Sequence, residues 1–259
     1  MFTNKYPIFK KGSVLDKEIF ELLRDNPLQI LSLNYLTKKD GIINGFDLVT
    51  NSESKTVKIT KGIAKCDGEI FWMIEDYEFQ MPEEEERYIL KLKLNSEIEN
   101  KRFYERHGEF ILEKGESINQ NEIEITRFIT RIGAELRNDY QNFNDLKREF
   151  NLLEIINTKY SSTHELGTLH PLILKLWALD AIKKDNLDIY DVNFYSDCFR
   201  GNVEREIIIA YINLKLNLQR MDYTNEELFE YLKNILKELG NERKPFERKR
   251  IIPKKLTIE

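Results

Sequence analysis

The feature that most constrains the fold of this chain is a change in residue pattern near its middle. Up to Gly133, turn-forming residues separate short apolar runs, and several of these runs alternate apolar with polar residues. Beyond Gly133, glycine and alternation become rare, and apolar residues recur every three or four positions. Alternation predicts strands, whereas the wider spacing predicts helices. The sequence therefore predicts an α+β protein, with a β-rich first half and a helical second half that meet between residues 134 and 144.

The first half is expected to form a mainly antiparallel sheet with one face in water. The sequence RYILKLKL at 87–94 is its clearest strand, because apolar residues alternate with mostly charged ones. Asp67-Gly68 lies between two strand-like runs and predicts a hairpin turn. The predicted strands cover residues 42–49, 55–60, 62–66, 69–74, 87–94, 109–113 and 122–129.

Residues 14 to 36 precede these strands and carry apolar residues closer to helical spacing than to alternation. Pro27 interrupts that spacing, and proline inside a helix lacks the amide hydrogen that the helix needs. We expect two short helices with a break near Asn26.

The second half is expected to be a bundle of about four helices. The last helix is the best marked, because Thr224 and Glu227 have capping-box spacing and Gly240 follows as a stop signal. Leu228, Leu232, Ile235 and Leu239 line its apolar face. The other predicted buried stripes are Leu146, Phe150, Leu153 and Ile156; Leu172, Leu176 and Leu179; and Ile207, Tyr211, Leu214 and Leu218.

These patterns predict a β-rich domain at 1–135, a helical domain at 136–240 and a tail at 241–259. The tail is basic although the whole chain has a net charge of -5. A solvated end, a nucleic-acid arm and a segment that docks on an acidic partner are the three interpretations. Apolar residues between the basic ones favour docking over nucleic acid. The predicted partner-binding residues are Phe246, Arg248, Lys249, Arg250, Ile251 and Ile252.

Composition excludes several classes of protein. The negative net charge argues against nucleic-acid binding by the body of the chain, since phosphates need a clustered positive face. No apolar run is long enough for a membrane span, and the N-terminus lacks the pattern of a secretory signal. We therefore expect synthesis in the cytosol. Cys66 and Cys198 lie in different halves and are expected to be reduced packing residues.

Residues that point to chemistry are few. No phosphate-binding loop, HExxH, GxSxG or CxxC motif occurs, so we expect neither catalysis nor a cofactor. His164, Glu165 and His170 offer a metal hypothesis, but zinc needs three or four converging ligands. Helix capping and a partner contact are the alternatives for these residues. Trp72 and Trp177 are expected in the core.

Two segments of the first half carry a resemblance to a known family. Residues 34–48 read NYLTKKDGIINGFDL, and residues 57–73 read VKITKGIAKCDGEIFWM. This order of glycine turns and short strands resembles the start of phage tail-fibre and baseplate-associated proteins. The resemblance implies that this half anchors the protein to a baseplate. It makes scaffold turns, not catalytic residues, of Gly41, Gly45, Gly62, Asp67 and Gly68, with Ile42 and Ala64 beside them.

The resemblance predicts a structural adaptor of a contractile phage tail or of a phage-tail-like particle, such as an R-type bacteriocin of the diffocin kind. Its expected partners are other baseplate or tail-fibre proteins, in several copies within a symmetric particle that lysis releases. Unlike a tail fibre, the chain continues into helices and not into a repetitive shaft. Two alternatives stay open: a carbohydrate-binding tail protein using Trp72, Tyr77 and Tyr104, and a cell-wall hydrolase built around His164, Glu165 and His170.

Overall fold

A computed structural model describes residues 5–53, 55–95, 98–99, 102–133, 135–147 and 150–239. The first element is helix α1, Lys17–Asn34, which begins where the Asp16 carboxylate accepts a hydrogen bond from the Ile19 amide. Pro27 lies inside this helix, so the prediction of two short helices was wrong. Proline removes one backbone hydrogen bond, but no residue of α1 is buried and water can bind the freed carbonyl group.

The first half forms three small sheets of three strands each, and their pairings are antiparallel, as predicted. The strand orders are β1-β4-β5, β2-β3-β6 and β10-β7-β11, and β8 pairs with β9. The strands are β1 Gly41–Gly45, β2 Leu48–Asn51, β3 Thr56–Ile59, β4 Gly62–Cys66, β5 Glu69–Met73, β6 Tyr77–Gln80, β7 Arg87–Leu94, β8 Ile98–Glu99, β9 Tyr104–Glu105, β10 Gly108–Lys114 and β11 Glu122–Ile129.

Strand β7 corrects the expectation of a face open to water. Ile89 and Lys91, which point away from Leu90, are buried as well. The Lys91 ammonium is 2.7 Å from the Glu113 carboxylate and 2.9 Å from that of Glu122. The middle of this face of β7 is therefore covered and its Lys91 is paired inside the protein, whereas Arg87 at the start of the strand is exposed.

Residues 135–147 and 150–170 run mostly without regular structure, apart from a 3₁₀ turn at Phe143–Leu146. The predicted helix through Leu146 and Ile156 was therefore wrong. Leu153 packs among residues of the β-rich half, whereas Leu146 and Ile156 pack in the core of the helices. The apolar residues at helical spacing thus belong to two different cores. An extended segment that runs between these cores can place residues in both.

The second half, as far as residue 239, contains four α-helices: α2 Pro171–Ala181, α3 Ile189–Arg200, α4 Arg205–Leu216 and α5 Asn225–Glu238. Trp177 is fully buried at their centre, and its indole N–H donates to the Leu232 carbonyl at 3.0 Å. The predicted capping box is confirmed, since Thr224 and Glu227 each bond the other's backbone amide. The predicted stop at Gly240 lies outside the described residues.

The predicted faces of α2 and α4 were partly wrong. Leu179, Ile207 and Leu214 are exposed, and the buried residues of these helices include Ile173 and Ile212 instead. Both helices are apolar over most of their circumference, so spacing alone does not select the face that packs. The helices that pack against them decide it.

Candidate functional site

Helix α1 presents several large apolar side chains to solvent. Phe20, Ile30 and Leu33 are 55%, 60% and 66% exposed, although they are large apolar residues. Two of its side chains bond the segment that precedes the helix: Glu18 pairs with Lys5, and the Asn26 side-chain amide donates to the Lys5 carbonyl at 2.9 Å. An exposed apolar surface of this kind marks an interaction site.

The C-terminal end of α1, which we call its base, is attached to the β-rich half by hydrogen bonds. The buried Lys65 ammonium of β4 donates to the Tyr35 carbonyl at 2.9 Å and to the Lys38 carbonyl at 2.7 Å. A cation placed at the C-terminal end of a helix satisfies carbonyl groups that the helix leaves free and complements the helix dipole. Lys65 therefore fixes the C-terminal end of α1 next to strand β4.

The same connection joins α1 to the helical half. The Lys39 amide donates to the Ser162 carbonyl at 2.6 Å, and the Lys38 side chain pairs with Glu204 at the start of α4. Burial opposes ionisation of Glu204, but Lys38 and hydrogen bonds from Thr163 hold the pKa of that carboxyl below its usual range. The connection after α1 thus links both halves of the molecule.

The predicted turn residues lie around this junction. Gly45 has a φ of +74°, and a Cβ there would lie 2.2 Å from the Lys61 carbonyl oxygen. Gly45 and Gly62 face each other across β1 and β4, and a side chain on either would strike the opposite backbone. Gly41 lies equally close to backbone, because a Cβ there would be 2.7 Å from the Ser161 nitrogen.

Asp67 and Gly68 form the two-residue turn between β4 and β5, with φ values of +50° and +77°. Asp40 supports this turn, because its carboxylate accepts the Asp67 amide at 2.9 Å and the Gly68 amide at 3.3 Å. These contacts join the turn to Asp40, in the connection that follows α1. That the predicted turn residues serve as scaffold and take part in no reaction stays a prediction.

His170 lies in a buried hydrogen-bond chain between the halves. Its Nδ1 accepts the Leu172 amide at 3.0 Å, which caps α2 and leaves the proton on Nε2. Nε2 lies 3.4 Å from the Tyr160 hydroxyl, which donates to the Gly45 carbonyl at 3.4 Å. Burial lowers the pKa of His170 to about 3, so the ring is neutral at physiological pH.

The metal hypothesis gains no support from this geometry. His164 accepts the Leu166 amide on Nδ1 at 3.2 Å, and Glu165 forms an ion pair with Lys39. Within the described ranges, no three His, Cys, Asp or Glu side chains are grouped so as to hold a metal ion. Capping, the alternative reading of His170, is what the structure shows.

The two tryptophans differ. Trp177 is in the core as predicted, whereas Trp72 is 57% exposed on β5, so its predicted core position was wrong. Trp72 pairs across the sheet with Ile63 and lies on the outer side of the strand, away from the buried Ala64 side. Tyr77 packs against Phe110 with ring centroids 5.1 Å apart, and Tyr104 is exposed. All three residues of the carbohydrate alternative are at least partly exposed, and Trp72 is the tryptophan among them.

A shallow groove of about 190 Å³ lies between α3 and α4. Tyr190, Ile207 and Leu214 line it and are exposed, with Asn193 and Asp197 at its polar side. Tyr190, Ile207 and Leu214 thus lie outside the core of the bundle. The groove is a second surface suited to a neighbouring subunit.

A cavity of about 800 Å³ lies where β7 and β11 meet the segment after the 3₁₀ turn. Its cationic groups have partners: Arg127 binds Glu124 at 2.7 Å, Arg87 binds Glu116 at 2.7 Å, and Arg131 stacks on Phe150. These cations are thus held in contacts within the protein.

Sequence reasoning missed the buried charges inside each half, of which Arg205 in the helical half is an example. Arg205 is fully buried and donates to Asn225 at 2.7 Å, to Asp222 at 3.2 Å and to the Tyr223 carbonyl. Nothing in its local sequence distinguishes it from a solvated arginine at the start of a helix. The predicted partner-binding tail, Phe246 to Ile252, lies outside the described residues.

No protein-family model matches the chain, and no match is found among curated proteins. Among solved structures, it is similar to a chain of the type VI secretion TssK-TssF-TssG baseplate subcomplex, with a TM-score of 0.44, 9% identity and coverage of 91% of this chain and 100% of that one. A crystal structure of TssK has a TM-score of 0.38, 8% identity and coverage of 90% and 67%. The type VI baseplate complex has a TM-score of 0.36, 9% identity and coverage of 91% and 100%.

The first and third of these neighbours are parts of a type VI secretion system baseplate, and the second is TssK. Their TM-scores are all below 0.5, so the likeness carries no argument about function. Among the described residues, no helix combines the length and apolarity needed to cross a membrane.

Proposed function

We propose that this chain is a structural subunit of the baseplate of a contractile particle, and that it connects neighbouring subunits by protein contacts. The β-rich half docks on the baseplate, and the helical half presents a face to another subunit. The chain makes and breaks no covalent bond in this role. Its function is the geometry that the symmetry of the particle repeats.

The observation that carries this proposal is α1, an 18-residue helix with no buried residue and a large apolar surface. Exposing such a surface to water is unfavourable, and burial in an interface relieves that cost. The groove between α3 and α4 adds a second surface, formed by a part of the chain far from α1 in sequence. A protein with two separate docking surfaces can connect two neighbours.

The sequence resemblance supports the particular setting. The segments at 34–48 and 57–73 form the connection after α1, strands β1, β3, β4 and β5, and the turns that shape them. The proposal thus places the chain in a phage tail or a phage-tail-like particle such as an R-type bacteriocin, as an adaptor between baseplate and tail fibre. It is made in the cytosol and leaves within the particle on lysis.

The test is made in a strain that produces the particle. Purified particles should contain the chain in a fixed ratio to their sheath protein, and immunogold labelling should lie at the baseplate end. Deleting its gene should yield tails without complete baseplates, which a plasmid copy restores. Particles that lack the chain, or that assemble and contract normally without it, would refute the proposal.

A carbohydrate-binding role is a second candidate, because Trp72 is exposed beside Ile74, which is exposed as well. Exposed tryptophan faces stack on sugars in binding sites. Purified chain should co-sediment with host cell walls in that case, and Trp72→Ala should abolish co-sedimentation while Ile207→Ala, elsewhere on the surface, should not. Absence of wall binding by the wild-type chain would reject this candidate.

A further inference from the structure

We propose that α1 is a self-association helix, and that copies of this chain pack their α1 helices side by side and parallel, in a ring of more than two. This deepens the proposed function, because it names the partner of one docking surface. It rests on that function only in taking α1 to be a docking element.

The first argument is the width of the apolar face. Ile19, Leu23, Asn26, Ile30 and Leu33 are separated by steps of four, three, four and three, which is the spacing of a coiled-coil seam with one polar position, Asn26. Phe20 and Leu22 flank this seam on its two sides. A face wider than the seam is not covered by one partner helix, but it is covered when each helix has two neighbours.

The second argument is the position of the charges. Lys17 and Arg24 lie seven residues apart along one edge of the face, and Glu18 and Asp25 lie seven apart along the other. In a parallel ring, the basic edge of each helix meets the acidic edge of the next. An antiparallel pair would instead bring like edges together, which is unfavourable.

These charged groups are free to change partners. Arg24 binds Asp25 at 2.6 Å, and Lys5 binds Glu18, with all four side chains substantially exposed. Exposed ion pairs contribute little, so exchanging them for contacts between copies costs little.

The anchored base of α1 favours the parallel arrangement. Lys65 fixes the C-terminal end of the helix on β4 in every copy. Copies related by a rotation axis along the helices therefore bring their α1 helices together in the same direction, and such a rotation closes without exposing a further edge.

A lipid surface fits the helix less well. The polar side of α1 carries Glu18, Glu21 and Asp25 against Lys17 and Arg24. Helices that lie on membranes carry mainly basic residues on their polar side, because anionic lipids attract them.

The test measures the mass of the full-length chain by sedimentation velocity and light scattering over a wide range of concentrations. Wild-type chain should have the mass of more than two copies. Leu23→Glu, in the centre of the face, should reduce it to the mass of one chain. Leu28→Glu is the matched control, because Leu28 lies on the opposite side and is 46% exposed against 47% for Leu23.

Leu33→Cys tests the direction of the helices. In a parallel ring, the new thiols of adjacent copies lie at the same level and form a disulfide under mild oxidation, whereas in an antiparallel pair they lie near opposite ends. The native Cys66 and Cys198 are buried and do not compete. Circular dichroism of each variant verifies that the body is folded.

A wild-type chain with the mass of one copy would overturn the inference, as would equal dissociation by the two glutamate variants. Binding of that single chain to anionic vesicles would assign α1 to lipid instead. The proposed function fails separately: a chain that is a single copy in solution but present in particles refutes only self-association. A ring-forming chain absent from particles refutes only the baseplate role.

Discussion

At the scale of single residues, the charges and the histidine that the fold buries are the groups that control its stability. Lys91, Arg205 and His170 are all buried, and each has hydrogen-bond partners: Glu113 for Lys91, Asn225 for Arg205, and Tyr160 and the Leu172 amide for His170. A buried polar group is tolerated when its bonds are satisfied, and its removal or protonation is costly. Two predictions follow from this at single positions.

The first concerns pH and His170. Its pKa is about 3 in the folded chain against an ordinary value of 6.5, because burial disfavours the charged ring. The unfolded chain therefore binds a proton that the folded chain does not, and stability falls as pH decreases from about 6.5 toward 3. At about pH 5 the loss should be about 2 kcal/mol relative to neutral pH.

Urea unfolding at several pH values measures this loss. His170→Asn is the control, because the asparagine oxygen can accept the Leu172 amide and does not titrate. The variant should lose the slope between neutral pH and about pH 5, where carboxyl groups contribute little. Equal slopes in variant and wild type would contradict the assignment of His170 as the titrating group.

The second concerns Lys91 and Glu122. Lys91→Met leaves the buried Glu122 carboxylate without its cation. Burial disfavours a charged carboxylate that has no cation beside it. We expect a loss of about 3–5 kcal/mol in the free energy of unfolding. Adding Glu122→Gln should recover most of it, because glutamine is neutral and still accepts the Asn119 amide. A loss below about 1 kcal/mol for Lys91→Met, measured in urea, would show that the pair is not buried as described.

At the scale of elements, α1 and α5 have similar amphipathic sequences but opposite positions. Both begin with a side-chain cap, and both carry leucines at helical spacing. Leu228, Phe229 and Leu232 of α5 are fully buried, whereas α1 buries nothing. An amphipathic pattern thus predicts that a helix has a partner, but not whether the partner is in the same chain.

This contrast gives a prediction for the two helices. Leu232→Ala should cost about 2–5 kcal/mol, because it removes a buried side chain and leaves a cavity. Leu28→Ala, the same change on the outer side of α1, should change stability by no more than about 0.5 kcal/mol. Urea unfolding of the two variants provides the comparison. A large loss for Leu28→Ala would mean that α1 packs on the body.

At the scale of the whole molecule, the halves share their cores. Leu153 and Tyr160 lie after the β-strands in sequence, yet both are buried with residues of the sheets. Leu48 of β2 packs against all three apolar clusters formed by the described residues. Backbone bridges Ile42–Tyr160 and Arg127–Glu154 reinforce these contacts.

The predicted division at residue 135 stays a prediction, and fragments test it. A fragment of residues 1–135 lacks the leucine and tyrosine that complete its core, so it should not unfold cooperatively. A fragment of residues 1–170 restores them and should show a cooperative transition followed by circular dichroism. Cooperative unfolding of the shorter fragment, with the midpoint of the longer one, would show that the domain ends near residue 135.

The sequence by itself determined the features that depend on neighbours along the chain. Strand alternation at 87–94, the Asp67-Gly68 turn and the capping box of Thr224 and Glu227 are visible locally, because backbone geometry over a few residues imposes each pattern. The order of β-rich half and helical half follows from the same patterns.

Only the tertiary structure decided which surfaces are buried. Lys91 was expected in water and Trp72 in the core, and the opposite holds because burial depends on what packs across from each residue. The segment containing Leu146 and Leu153 has helical spacing but runs irregularly, since its two leucines belong to different cores. Periodicity reports which residues avoid water, whereas the partners that exclude water come from distant parts of the chain.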